Sequence, residues 1–281
     1  MSTSNSMENP ESRFSALLGS AARLPGVRID RATYLRQALG RRCSEEQIRR
    51  AVEESPAAAG IPVEVLDRVA NESIAYETAK VSALSAAAGL PGVLALPATV
   101  PADLAQYFGH VLRIAQKLAY LYSWPDLFSD SSEPDDATKG VLTLFVGVMF
   151  GTQSANSAVG KVATMISEEI IKKLPQKALT KGVVYPVVKK VAAYLGVEVT
   201  KQTFAKSLSK AIPVVGAVIS GGLTFATYRP MAKRLKKHLC GLDLAQPGPG
   251  VVVEEPPAPD VVIGEVVEVH DSPIPGGGRS V

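Results

Sequence analysis

The chain predicts an all-α fold: a multi-helix bundle of glycine- and alanine-rich packed helices, with a small N-terminal helical cap and a disordered C-terminal tail. Three observations predict it. Apolar residues recur at helical spacing, most clearly between Pro101 and Tyr122. Aromatics are 6% of a chain that is 46% hydrophobic, so the apolar mass is Ala, Val, Leu and Gly. Three stretches, 81–102, 140–160 and 211–228, carry no charge and approach the ~20 residues that cross a bilayer. Pro91, Pro97 and Pro101 interrupt or bound the first. Gln153, Ser154, Asn156 and Ser157 fill the end of the second, and Pro213 with Gly221-Gly222 weakens the third. A spanning helix needs a satisfied backbone and mostly apolar side chains, so burial in protein is expected over burial in lipid.

The elements follow in order. Residues 1–12 are polar and read as disordered, with no secretory signal expected. Residues 13–60 form an arginine-rich helical cap, since the first lysine is Lys80. Within it, 14–24 is a short helix ended by Pro25-Gly26, and 31–39 is a second stopped by Gly40. Ser44-Glu45-Glu46-Gln47 has capping-box form and starts a third through about Glu54. The core spans 61–245. Pro62 suits a first helical position. A helix runs on through Leu66, Val69, Ile74 and Ala79 toward Ala88, until Gly89-Leu90-Pro91-Gly92 breaks it. Pro101 opens the next helix, which ends near Trp124-Pro125 before an acidic loop, 126–136. Helices are expected over 138–155, 157–173, 176–195 and 203–240, with bends at Pro186, Pro213 and Pro230. In 246–281 Pro and Gly dominate, so a disordered acidic tail is expected. Its segment 261–269 is β-branched and could add as an edge strand to a partner, although disorder is the expected state.

The net charge of +3 hides an asymmetry. The tail has one base against six acids, a balance of −5, which leaves +8 on 1–245. Residues 161–210 hold ten lysines against Glu168, Glu169 and Glu198, and read as ordinary wet helix faces. Arg229, Lys233, Arg234, Lys236 and Lys237 form an acid-free run suited to an anionic membrane surface. The acidic tail is a candidate ligand for a partner or for this basic core. Nucleic acid is an unlikely partner, because no recognition element with interleaved aromatics accompanies the charge.

The helix after Pro101 carries the most information. Leu104, Phe108, Val111, Ala115, Leu118 and Tyr122 make one apolar stripe. Asp103, Gln106, His110, Arg113 and Lys117 make a separate polar line spaced 3, 4, 3 and 4, which stacks them on one face. With Ala105, Leu112, Ile114 and Leu121 also apolar, the line becomes a narrow seam on a mostly buried helix. It is a wet edge, a hydrogen-bonded seam that fixes the register of packed helices, or the lining of a ligand pocket or narrow polar path. His110 has no second ligand at metal spacing. As a general base it would need an orienting carboxylate, and Asp103 is two turns away.

Other chemistry is missing. Cys43 and Cys240 make no metal spacing and fit a reducing compartment. Gly221-Gly222 lacks the Lys-Ser or Lys-Thr of a phosphate loop, Ser220 is in no nucleophile elbow, and the acidic loop lacks the positions of a calcium loop. Gly147 and Gly151, like Gly216 and Ser220, are small residues four apart, which permits close helix packing. No catalytic residue, metal site or cofactor is expected.

Several segments together resemble the EcsC family of bacterial proteins. They are Ala88-Gly-Leu-Pro-Gly, Pro97-Ala-Thr-Val-Pro-Ala-Asp103, His110 with Ile114-Ala-Gln-Lys-Leu-Ala-Tyr-Leu-Tyr122, and Ile212-Pro-Val-Val-Gly-Ala217. The resemblance covers about 64–239. Ser123-Trp124 departs from it, since a glycine is expected after the tyrosine. It implies an all-helical protein linked to membranes, in some cases encoded near ABC transporters, and it supplies no catalytic residues. The expected function is a non-enzymatic helical module, cytoplasmic or peripheral on the inner membrane face, that binds an anionic surface or a membrane protein. The alternative is a small-molecule or lipid-binding protein, or an enzyme, with a pocket along the seam.

Overall fold

Ten α-helices and one 3-10 turn make up the described residues, and no strand is found among them. The computed structural model describes 9–88, 100–128, 134–168, 173–209, 216–248 and 251–253, of which 84–88, 100–103, 200–209 and 216–225 are described as backbone alone. Residues 1–8, the break at 89–92 and the segment 261–269 lie outside the described residues, as do Pro97 and Pro213.

The N-terminal helices begin at their caps. Helix α1 (Pro10–Ala22) starts at Asn9, whose side chain accepts from the Glu11 amide, so structure begins before residue 13. Helix α2 (Arg31–Leu39) is capped by Asp30, which accepts from the Thr33 amide at 2.7 Å. Helix α3 (Glu45–Glu53) has the expected capping box, with Ser44 and Gln47 bonded reciprocally.

The expected cap is not a separate unit. Helix α1 packs on α9 (Tyr185–Ser209) and on α5 (Val100–Leu121). Phe14, Leu18, Leu35 and Leu39 belong to the same buried core as Phe108, Trp124 and Phe145. Arg31 ties the parts together. Its buried guanidinium donates to the carbonyls of Ala51, Val52 and Glu54 at the end of α3, and to that of Trp124 beyond α5. Four carbonyls satisfy a group that would otherwise be costly to bury.

Helix α4 (Val63–Ala88) begins just after Pro62 and packs on α5 and on α10 (Gly216–Cys240). Helix α6 (Asp136–Met149) is the centre. It contacts α5, α7 (Gln153–Glu168), α8 (Gln176–Thr180), α9 and α10, and every residue from Gly140 to Met149 is buried. The first half of the second uncharged stretch is therefore enclosed by protein. Gly147 allows that enclosure, since a Cβ there would lie 2.6 Å from Val191 and 2.8 Å from Ala155.

Three expected helices are divided differently: residues 203–209 of the one over 203–240 belong to α9, and α10 begins at Gly216. The one over 138–155 stops at Met149 because Gly151 adopts φ +83°. The Gly151 and Thr152 amides then bond back to Val148 and Gly147, each at 2.9 Å, which is a Schellman ending. The one over 176–195 breaks at Lys181, and α9 restarts at Tyr185 with Pro186 in its first turn. At the start of the tail, Val252 passes so close to Gly60 that a Cβ there would lie 2.2 Å from the Val252 carbonyl oxygen. No helix among the described residues is long and apolar enough to cross a membrane.

Candidate functional site

The seam on α5 faces a carboxylate. Glu77, at 0% exposure on α4, accepts from Lys117 Nζ at 2.7 Å and from Arg113 Nε and Nη2 at 3.2 Å. Its other oxygen lies 3.4 Å from His110 Nδ1. Arg113 also donates to the Gly26 carbonyl, and the Tyr228 hydroxyl of α10 donates to the His110 carbonyl at 2.9 Å. Three of the five seam residues thus converge. Gln106 is exposed on the same helix, and the side chain of Asp103 lies outside the described residues.

Burial pushes the Glu77 carboxyl up. The hydrogen bonds from His110, Lys117 and Arg113, with the Lys117 charge, outweigh it and hold the group at about 2. A carboxylate so firmly ionised is a poor proton acceptor at neutral pH. The three contacts tie the middle of α5 to α4.

On the neighbouring face of α5, buried Gln116 accepts from the Ile29 amide at 2.8 Å and donates to the Val27 carbonyl at 3.0 Å. Neither Glu77 nor Gln116 is singled out by the spacing on α5. A signal for Glu77 existed, because it falls on the buried stripe of α4 formed by Leu66, Ala70, Ile74 and Val81.

The basic run on α10 divides. Lys236 is 2.9 Å from Asp67, and Arg234 donates to the Met149 carbonyl. Arg229, Lys233 and Lys237, spaced four apart, share an exposed face. Sequence reading set aside a second basic surface, at the α8–α9 corner. Lys173, Lys177, Lys181, Lys189 and Lys190 are all exposed there, and no acid occurs between Lys173 and Val197. Between them Val183 is 67% and Tyr185 38% exposed. Lys189 stands 5.9 Å from the Tyr185 ring and 3.8 Å from Glu11. Tight packing at Gly182 shapes the corner, since a Cβ there would lie 2.9 Å from the Lys177 carbonyl oxygen.

Burial pushes the Cys43 thiol up to about 11 and raises that of Cys240, so neither is a thiolate at neutral pH. No group of three or more metal-ligating side chains is found among the described residues. Comparisons with protein-family models, curated proteins and solved structures give no match.

Proposed function

We propose that this protein is a non-enzymatic helical module that docks peripherally on an anionic membrane surface, at its cytoplasmic face. The observation that carries the reading is the α8–α9 corner. Over residues 173–190 it exposes an aromatic and a branched aliphatic side chain together with five lysines. Tyrosine suits the level of lipid headgroups, and each lysine near such a surface adds about 1 kcal/mol. Five would give about 5 kcal/mol, a submillimolar affinity for accessible anionic lipid. The exposed face of Arg229, Lys233 and Lys237 can add to this. The internal ion pairing of the seam supports the non-enzymatic part, and the EcsC-like segments agree with a membrane role.

The test is co-sedimentation with vesicles of phosphatidylcholine, with and without phosphatidylglycerol. Binding should require the anionic lipid and weaken steeply with salt. Joint charge reversal at Lys177, Lys181 and Lys190 should release the protein, and Tyr185→Ala should weaken it less. Equal recovery on both vesicle types, or none on either, would sink the reading. Release by reversal of Arg229, Lys233 and Lys237 alone would move the contact to α10.

A further inference from the structure

The charges around Glu77 do not balance. Arg113 and Lys117 share one carboxylate, so by formal charge the cluster carries a surplus of at least +1. Among the described residues Lys117 is the one buried lysine, at 8% exposure. A surplus charge held away from water calls for a counter-ion.

Lys117 is reached from outside. It forms the floor of a groove of about 440 Å³ between α2 and α4, within the usual size range of small-molecule sites. Its ammonium lies 5.6 Å from the Tyr34 ring centre and 5.2 Å from that of Tyr76. Arg41 and Arg42 stand on the rim, Arg42 paired with Glu72. The Tyr34 and Ser73 hydroxyls, 2.8 Å apart, line the wall. Tyr76 is 60% exposed, so much of its ring is open to solvent.

We infer that this groove binds a phosphate monoester of a planar, ring-bearing small molecule. The phosphate takes the place beside Lys117 and Arg41, where its charge offsets the surplus of the cluster. The ring lies against Tyr76, giving that exposed face a partner. Glu77 acts as a positioning residue, holding Lys117 at the floor. This site is distinct from the α8–α9 corner and needs no membrane.

Calorimetric titration of the full chain with phenyl phosphate and with inorganic phosphate tests it. Phenyl phosphate should bind and inorganic phosphate should bind several-fold more weakly, lacking the ring contact. Arg41→Ala, an exposed change that leaves the core alone, should weaken both by about tenfold. Tyr76→Ala should bring the two probes to the same affinity. Lys117→Met should abolish binding, with helicity checked by circular dichroism. No binding of phenyl phosphate at millimolar concentration, or binding indifferent to Arg41→Ala and Tyr76→Ala, would overturn the assignment.

Discussion

Two of the carboxylates on helix α4, Asp67 and Glu77, lie ten residues and about 15 Å apart. They solve one problem under different solvation. Glu77 is fully buried and takes three side chains from α5. Asp67 has a side chain 36% exposed; it accepts from the Tyr122 hydroxyl at 2.5 Å and pairs with Lys236 at 2.9 Å. Water can replace a lost partner at Asp67 and cannot at Glu77. The contrast teaches that the stability of this fold rests unequally on its ion pairs. The buried cluster locks α4 against the middle of α5. The half-exposed one ties the end of α5 to Lys236 of α10 with less at stake for folding.

Removing each carboxylate should expose the difference. Glu77→Ala leaves Arg113 and Lys117 buried without a counter-charge, and about 3–5 kcal/mol of unfolding free energy should be lost. Urea titration measures it. Asp67→Asn should cost about 1 kcal/mol or less, because solvent screens the exposed pair. Equal losses would show that exposure does not separate the two sites.

Acid should separate them again. The Glu77 carboxyl is held at about 2 against an ordinary 4.5, so ionisation favours the folded state. A lowered folded value means that this contribution is complete above about pH 4.5 and is lost as pH falls toward 2. That lowering corresponds to about 3 kcal/mol. Asp67 is also lowered. Burial opposes its ionisation, but the Tyr122 hydroxyl and Lys236 outweigh it, so the sign is the same. Its screened pair should contribute less. Melting temperature against pH should fall steeply below about 4.5 in the native chain, and Glu77→Gln should flatten most of that slope. Asp67→Asn should leave the slope nearly unchanged.

The neutral partner of Asp67 offers a finer test. Tyr122 is fully buried, and its hydroxyl bonds a charged acceptor. Tyr122→Phe should cost about 1.5–2 kcal/mol. The loss should shrink in the Asp67→Asn background, and a double-mutant cycle reads that coupling. A cycle with no coupling would mean that Tyr122 matters through packing alone.

These sites show what sequence periodicity can reach. The 3-4-3-4 spacing places His110, Arg113 and Lys117 on one face of α5, because a helix repeat is a local property. Their partner is 33–40 residues away on another helix, and only packing brings it near. A glutamate on the apolar stripe of α4 was the available sign. The docking of the cap on the core is hidden from the sequence for a related reason. Arg31 looks like one more surface arginine until the carbonyl ends of α3 and α5 surround it. The all-α class and the boundaries of α2 and α3 were legible because helix caps and stop residues are local. The division at Lys181 was not, since it turns on the close packing of Gly182 against Lys177 and Ala178.

The smallest effect belongs to the residue that follows Tyr122. Ser123 has φ +68°, where a glycine would be at ease, and it ends α5 as Gly151 ends α6. Its amide and that of Trp124 bond back to Tyr120 at 3.4 Å and Ala119 at 3.0 Å, the same Schellman pattern. The serine has a use that glycine lacks, because its hydroxyl accepts from the buried Ala57 amide at 3.0 Å. Ser123→Gly relieves left-handed strain of about 1 kcal/mol and forfeits a bond of about the same size. The net change should stay within about 0.5 kcal/mol. Ser123→Ala keeps the strain and loses the bond, so it should cost about 1 kcal/mol or more. If glycine instead stabilised the chain by a full kcal/mol, the Ala57 contact would be worth nothing. The link between the cap and the C-terminal end of α5 would then rest on Arg31 and the shared apolar core.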